Sequence, residues 1–199
     1  MLGLPKSTEL SKQLPKKAIY EKFNMNTAAK EKFDADISRI NIVAEISPNT
    51  VSIAKGETVS AIYVLQVILK QKEFDTKTIS QISKLIEQKM LLVLDFDGER
   101  KLAIHHTKLL KTDWKSADEC SIALTGLNLD TVWENLVTQV GGIEIEQGHS
   151  LDEQIAADEQ KAKLEKEIAS LEKQARNEKQ PKKKFELVQQ IKKLQKEVK

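Results

Sequence analysis

The sequence predicts an α+β protein: a mixed, largely antiparallel sheet with helices on one face, followed by a C-terminal α-helical coiled-coil hairpin. Three observations predict it. Short β-branched runs alternate with segments of helical period through the first three quarters of the chain. Asp97-Gly98 separates two such runs, the signal of a two-residue hairpin turn. From Ser150 onward glycine disappears and apolar residues step by four and three, the spacing of a coiled-coil seam.

Residues 1–24 are expected to form an N-terminal extended arm. Pro5 and Pro15 bias Leu4 and Leu14 away from helix. Leu10, Ile19, Tyr20 and Phe23 supply the apolar surface to lie on a domain. The α+β globular domain is expected over 25–148. Asn26 caps a helix over 27–36, with Ala29 and Phe33 on one face. Ile37, Ile40, Ile42, Val43 and Ile46 make a strand that ends at Ser47-Pro48-Asn49. Val51 and Ile53 begin another, turned by Lys55-Gly56-Glu57. Residues 61–69 are almost continuously apolar, the pattern of a central strand covered on both faces. Asp75 opens a helix to about residue 88, with Ile79, Ile82, Leu85 and Ile86 inward. Residues 90–94 form a second buried strand, 101–107 return from the Asp97-Gly98 turn, and 120–125 form a further strand. A final core helix covers 129–140. Leu129, Val132, Trp133, Leu136, Val137 and Val140 make its apolar face, and Gly141-Gly142 stops it.

The coiled-coil hairpin is expected over 149–199, with a break near Pro181. Ser150 and Glu153 form a capping box. Leu164, Ile168, Leu171 and Ala175 carry the seam, and Leu187, Ile191, Leu194 and Val198 repeat it. Leu151, Ile155, Asp158 and Ala162 keep the step one residue out of phase, so the seam is imperfect. The two predicted helices have about 29 and 18 residues and opposite net charge, −3 over 150–178 and +6 over 179–199. That charge favours an antiparallel hairpin; one kinked helix pairing with another chain is the alternative. A narrow stripe is unstable alone in water and must pack on something. Leu164, Ile168, Leu171, Leu187, Ile191, Leu194 and Val198 are therefore the candidate partner-binding residues.

Composition excludes several classes. The chain has 199 residues, a net charge of +2 and one cysteine. Lone Cys120 excludes an internal disulfide framework and a Cys-rich zinc site, and points to a reducing cytoplasm. No apolar run is long enough for a transmembrane helix. The first residues have no secretory pattern. No phosphate-cradling glycine loop, dinucleotide fingerprint or serine-hydrolase elbow is present, and no cofactor or metal is expected. The basic end, Lys179, Lys182, Lys183, Lys184, Lys192, Lys193 and Lys196, can attract phosphates, but a solvated helix face has the same composition.

Few residues suggest chemistry. Asp95-Phe96-Asp97-Gly98 is similar to the first motif of haloacid-dehalogenase-type phosphatases, but Glu99 and Arg100 stand where Thr and an apolar residue belong. Glu99-Arg100-Lys101 is a Glu-x-Lys triplet of the kind that holds magnesium in restriction-type nucleases. Asp75 or Asp95 would supply the missing acid. Asp95, Glu99 and Lys101 are thus weak nuclease candidates. His105-His106 on a strand point to opposite faces and cannot share a metal. Trp133 reads as core, and Trp114 as core edge or partner contact.

Several stretches together resemble a bacterial family: Leu4-Pro5-Lys6-Ser7-Thr8-Glu9, Ile37–Ile53 leading into Val64–Lys70, Thr112-Asp113-Trp114, and Leu127–Asn135. It is domain-of-unknown-function family 4391. The resemblance covers roughly residues 1–145, with the coil as a common extension. Its members lie beside DNA methyltransferases and superfamily 2 helicases in restriction and phage-defence gene clusters. By association the resemblance implies a small non-catalytic subunit that docks on a methyltransferase, a helicase or a second copy through its coiled coil. A DNA-binding adaptor using the basic C-terminal helix is the alternative, and a metal-dependent nuclease the second alternative.

Overall fold

A computed structural model of the chain describes residues 2–197. Its elements, in order, are β1 (Glu9–Leu14), α1 (Lys16–Lys22), α2 (Thr27–Asp36), β2 (Ile37–Ile46), β3 (Ile62–Leu69), α3 (Thr76–Ile82), β4 (Lys89–Phe96), β5 (Glu99–His105), β6 (Leu109–Lys111), β7 (Lys115–Ser116), α4 (Leu129–Gly141), α5 (Leu151–Asn177) and α6 (Pro181–Glu197). One sheet runs β1-β2-β3-β4-β5-β6, with β7 pairing β5. Among the described strands only β3 and β4 are parallel, which the α3 crossover between them requires. Every other pairing is antiparallel.

The sheet is covered on both sides. Leu65, Val67, Leu92, Leu94 and Ala103 share one core with Ile19 of α1, Phe33 of α2 and Ile79 and Ile82 of α3. Leu91, Val93, Leu102 and Ile104 alternate onto the other side and are equally buried. There α4 packs along β5 and β6. The expectation of helices on one face describes α1–α3, and α4 adds the second layer. β3 and β4 are buried on both sides, as the long apolar runs implied. Each fully buried aliphatic side chain contributes about 1.5–3 kcal/mol.

Local signals placed the elements where backbone groups needed partners. The Asn26 side chain accepts the amide of Ala29 at 2.9 Å, and that of Asn128 accepts Thr131 at 3.0 Å. Gly142, at φ 60°, ends α4 in the left-handed conformation. Asp97 and Gly98 have φ of 47° and 80°, the two positive angles of a type I′ hairpin.

Four expectations are corrected. Residues 1–24 are not an extended arm: β1 pairs with β2 as the sheet edge, and α1 buries Ile19 in the core. Pro15 stands as the N-cap of α1, a position proline tolerates. Residues 51–53 do not form a strand, and only Ala54 makes a bridge, to Asn128. Residues 120–125 are irregular because side chains of α4 take their backbone groups: Gln139 accepts from the Ala123 amide and donates to its carbonyl, and Asn135 donates to the Thr125 carbonyl. α3 ends at Ile82 rather than near 88. The Ser83 hydroxyl turns back onto the Ser80 carbonyl, and short turns carry Leu85 into the core.

The chain divides into two units after Ile143, earlier than the expected boundary at 148. In the second unit Gln154 explains the difference: its side-chain oxygen accepts the amide of Glu146, tying the connector to α5. Ser150 and Glu153 form the capping box. Pro181 is the first residue of α6, where its missing N–H costs nothing. α5 and α6, of 27 and 17 residues, pack on each other as a hairpin within one chain. No helix of the described residues is long and apolar enough to cross a membrane.

Candidate functional site

The nuclease candidates do not converge. Asp95 lies opposite Arg100 in the β4–β5 ladder, whereas Glu99 lies opposite Phe96 and Lys101 opposite Leu94. Cross-strand partners share a face, so Asp95 projects from one side of the sheet and Glu99 with Lys101 from the other. Asp95 is held by Arg100 at 3.1 Å and by the Gln66 amide at 3.0 Å. Glu99 pairs with Lys72. Asp75 caps α3 and pairs with Lys32 at 2.6 Å, an arrangement that draws its carboxyl below the usual range. Each acid already has a structural occupation, and among the described residues no three His, Cys, Asp or Glu side chains could hold a metal. The hairpin geometry at Asp97 accounts for the phosphatase-like stretch.

His105 and His106 serve different surroundings. Burial, and then the charge of Lys84, push the His105 imidazole below its ordinary value. His106 Nδ1 accepts the indole N–H of Trp133 at 3.2 Å. Trp133 is core, with the Lys89 ammonium 5.3 Å from its ring centre. Cys120 is buried, which raises its thiol pKa.

The stretch Leu127–Asn135 performs a structural task that sequence reasoning missed. Asp130, in the first turn of α4, accepts the amides of Glu57 at 2.6 Å and Val59 at 2.8 Å, and the Thr58 hydroxyl at 2.7 Å. Gly56 leaves the room: a Cβ there would lie 2.4 Å from the Asp130 carboxylate. The Thr58 hydroxyl bond, with the amide bonds beside it, holds the Asp130 carboxyl below its usual range. A depressed folded pKa means the unfolded chain binds more protons as acid is added. Asp130 therefore contributes stability that is present above the unfolded carboxylate value of about 3.9 and is lost as pH falls through the lower folded value. Thermal midpoints measured between neutral pH and pH about 2.5 will fall steeply at the acid end, and Asp130→Asn will flatten that limb.

In the hairpin, Leu164, Ile168, Leu171, Leu187 and Leu194 are half-buried and Ile191 is buried. These seam residues are thus partly covered within the second unit. Val198 lies outside the described residues. Two seam residues, Ala175 and Ile191, line a groove with Val188, Glu172, Arg176, Lys184 and Lys192. Phe185 on the same helix is 64% exposed and Val188 36%. Lys179, Lys182, Lys183, Lys184, Lys192, Lys193 and Lys196 are all exposed.

A second cluster, unforeseen from spacing, gathers about Trp114. Thr112 fixes the corner, its hydroxyl accepting the Leu102 amide at 3.0 Å and donating to the Asp113 carbonyl at 2.9 Å. The ammonium groups of Lys72 and Lys101 lie 5.6 and 5.4 Å from the Trp114 ring centre. Lys111 lies 5.8 Å from that of Phe74. The pattern alone paired Lys101 with Glu99; the ladder and the 70–75 loop surround it with lysines instead.

A family model described as Domain of unknown function (DUF4391) matches residues 2–198. No curated protein and no solved structure matches the chain.

Proposed function

The chain belongs to the DUF4391 family, and from that membership we propose that it is a non-catalytic accessory subunit of a cytoplasmic DNA methyltransferase–helicase restriction or phage-defence system, docking through its helical hairpin. One observation carries the reading. Phe185 and Val188, one turn apart on α6, stand exposed, and Val188 lines the groove with Ala175 and Ile191. A large exposed aromatic costs solubility and is a typical anchor of a protein interface. Arg176, Lys184 and Lys192 outnumber Glu172 in the same groove, so the complementary partner is an amphipathic helix with acidic flanks.

The test is affinity purification from the native host, read by mass spectrometry. The full-length chain should recover a methyltransferase or helicase. A chain ending at Gly148, and full-length Phe185→Glu/Val188→Glu, should recover at least tenfold less. Equal recovery by the double variant sinks the reading.

A DNA adaptor working through α6 is the second reading. Its support is the placement of exposed Phe185 among Lys182, Lys192 and Lys196 on the side turned away from Leu187 and Leu194. It requires affinity for DNA that collapses when Lys182, Lys183 and Lys184 are replaced together by Gln.

A further inference from the structure

We propose that the β5–β6 end of the sheet, where Lys72, Lys101 and Lys111 gather around Trp114 and Phe74, binds single-stranded DNA. Lys101 stands opposite Leu94 and Lys111 opposite Ala103 in the ladder. Leu94 and Ala103 both belong to the core shared with α1–α3, so both lysines project from that face. Trp114 and Phe74 pack at the edge of the same core and are half-buried. Lys72 reaches the cluster from the loop between β3 and α3. One face thus presents three ammonium groups and two aromatic rings, brought from three separate stretches of chain.

The charge on this face is only partly answered. Glu99 pairs with Lys72, Asp113 is the acid that acts on Lys101, and Glu73 and Asp75 flank Phe74. Among the described residues neither Lys101 nor Lys111 forms an ion pair. Lys101 is partly buried: desolvation first, then the charges of Lys111 and Lys72, push its ammonium below the ordinary lysine value against the pull of Asp113. A phosphodiester between Lys101 and Lys111 removes that repulsion. Cations beside aromatic rings are the combination that holds a single strand: lysines follow the phosphates and rings take the unpaired bases. A duplex keeps its base faces inside and gains nothing from the rings.

Number of contacts separates this site from the α6 lysines. Three neutralised phosphates give a salt slope of about −0.7 each, so affinity should fall about 20-fold between roughly 50 and 200 mM salt. Seven lysines acting together would give about 1,000-fold over the same range.

The experiment uses the full-length chain and a labelled oligothymidine of about 20 nucleotides, followed by anisotropy and by tryptophan emission. Binding with the shallow salt dependence is expected, together with quenching that disappears in Trp114→Phe. Lys72→Gln/Lys111→Gln, both at exposed positions, should weaken binding at least tenfold with an unchanged circular dichroism spectrum. Lys182→Gln/Lys183→Gln/Lys184→Gln should leave it unchanged. The proposal is overturned if no binding is seen at the lower salt, if a duplex of the same length binds equally well, if the Lys72→Gln/Lys111→Gln variant binds normally, or if the α6 variant loses binding.

Discussion

Trp133→Ala will lower the unfolding free energy by about 3–5 kcal/mol, the range for removing a large buried aromatic. The residue is 2% exposed in the middle of α4. Its indole N–H reaches His106 and its ring faces the Lys89 ammonium. It therefore joins α4 to the end of β5 and the start of β4 at once. Truncation leaves a cavity under a helix whose other apolar residues, Val132, Leu136, Val137 and Val140, point the same way. Trp133→Phe keeps most of the volume and loses chiefly the hydrogen bond, worth about 1 kcal/mol. Urea midpoints read by circular dichroism should rank wild type, Phe, Ala. A loss under about 1 kcal/mol for Ala would mean that α4 does not anchor this side of the sheet.

Gly56→Ala is the second large effect, about 1–3 kcal/mol, and its cause is specific. Gly56 does not have a positive φ, so alanine fits the backbone itself. The new methyl would instead meet the Asp130 carboxylate at 2.4 Å. A carboxylate can swing aside, but this one is bonded to the amides of Glu57 and Val59 and to the Thr58 hydroxyl. Moving it breaks the lock between the 56–59 loop and α4. Asp130→Ala removes the obstacle along with the lock. Gly56→Ala should then cost little in the Asp130→Ala background, and a double-mutant cycle should give a coupling of at least 1 kcal/mol. Additive losses would separate the glycine from the aspartate.

Elements whose instructions were local were legible before the fold was known. Asn26, Asn128 and Ser150 cap the helices they precede, and Asp97-Gly98 makes the turn its dihedral demands. The runs at 62–69 and 89–96 are mostly aliphatic and are largely buried on both faces. What escaped depended on partners far away in sequence. β1 is an exposed edge strand with little apolar pattern, and it is defined by its ladder to β2. Residues 120–125 have strand-like composition, but Gln139 and Asn135 capture their backbone. The candidate chemistry failed for a related reason. Asp95, Glu99 and Lys101 look adjacent in a one-dimensional motif, yet strand alternation puts the aspartate on the opposite side from the other two. The lysines around Trp114 were hidden in the same way, since Lys72 arrives from a loop some thirty residues earlier.

The strand order governs how the sheet-bearing unit is made. From β1 to β6 each strand lies beside the one that precedes it in the chain. Apart from β7, which pairs with β5, every pairing closes a loop between consecutive strands, and the longest of these are bridged by helices that shorten them. The sheet therefore has low contact order for a mixed fold and should assemble quickly. On a ribosome, each emerging strand finds the edge it needs already built. β4, with five buried residues in a row, can add to β3 as soon as α3 has emerged, before the hairpin that follows α4 has been synthesised.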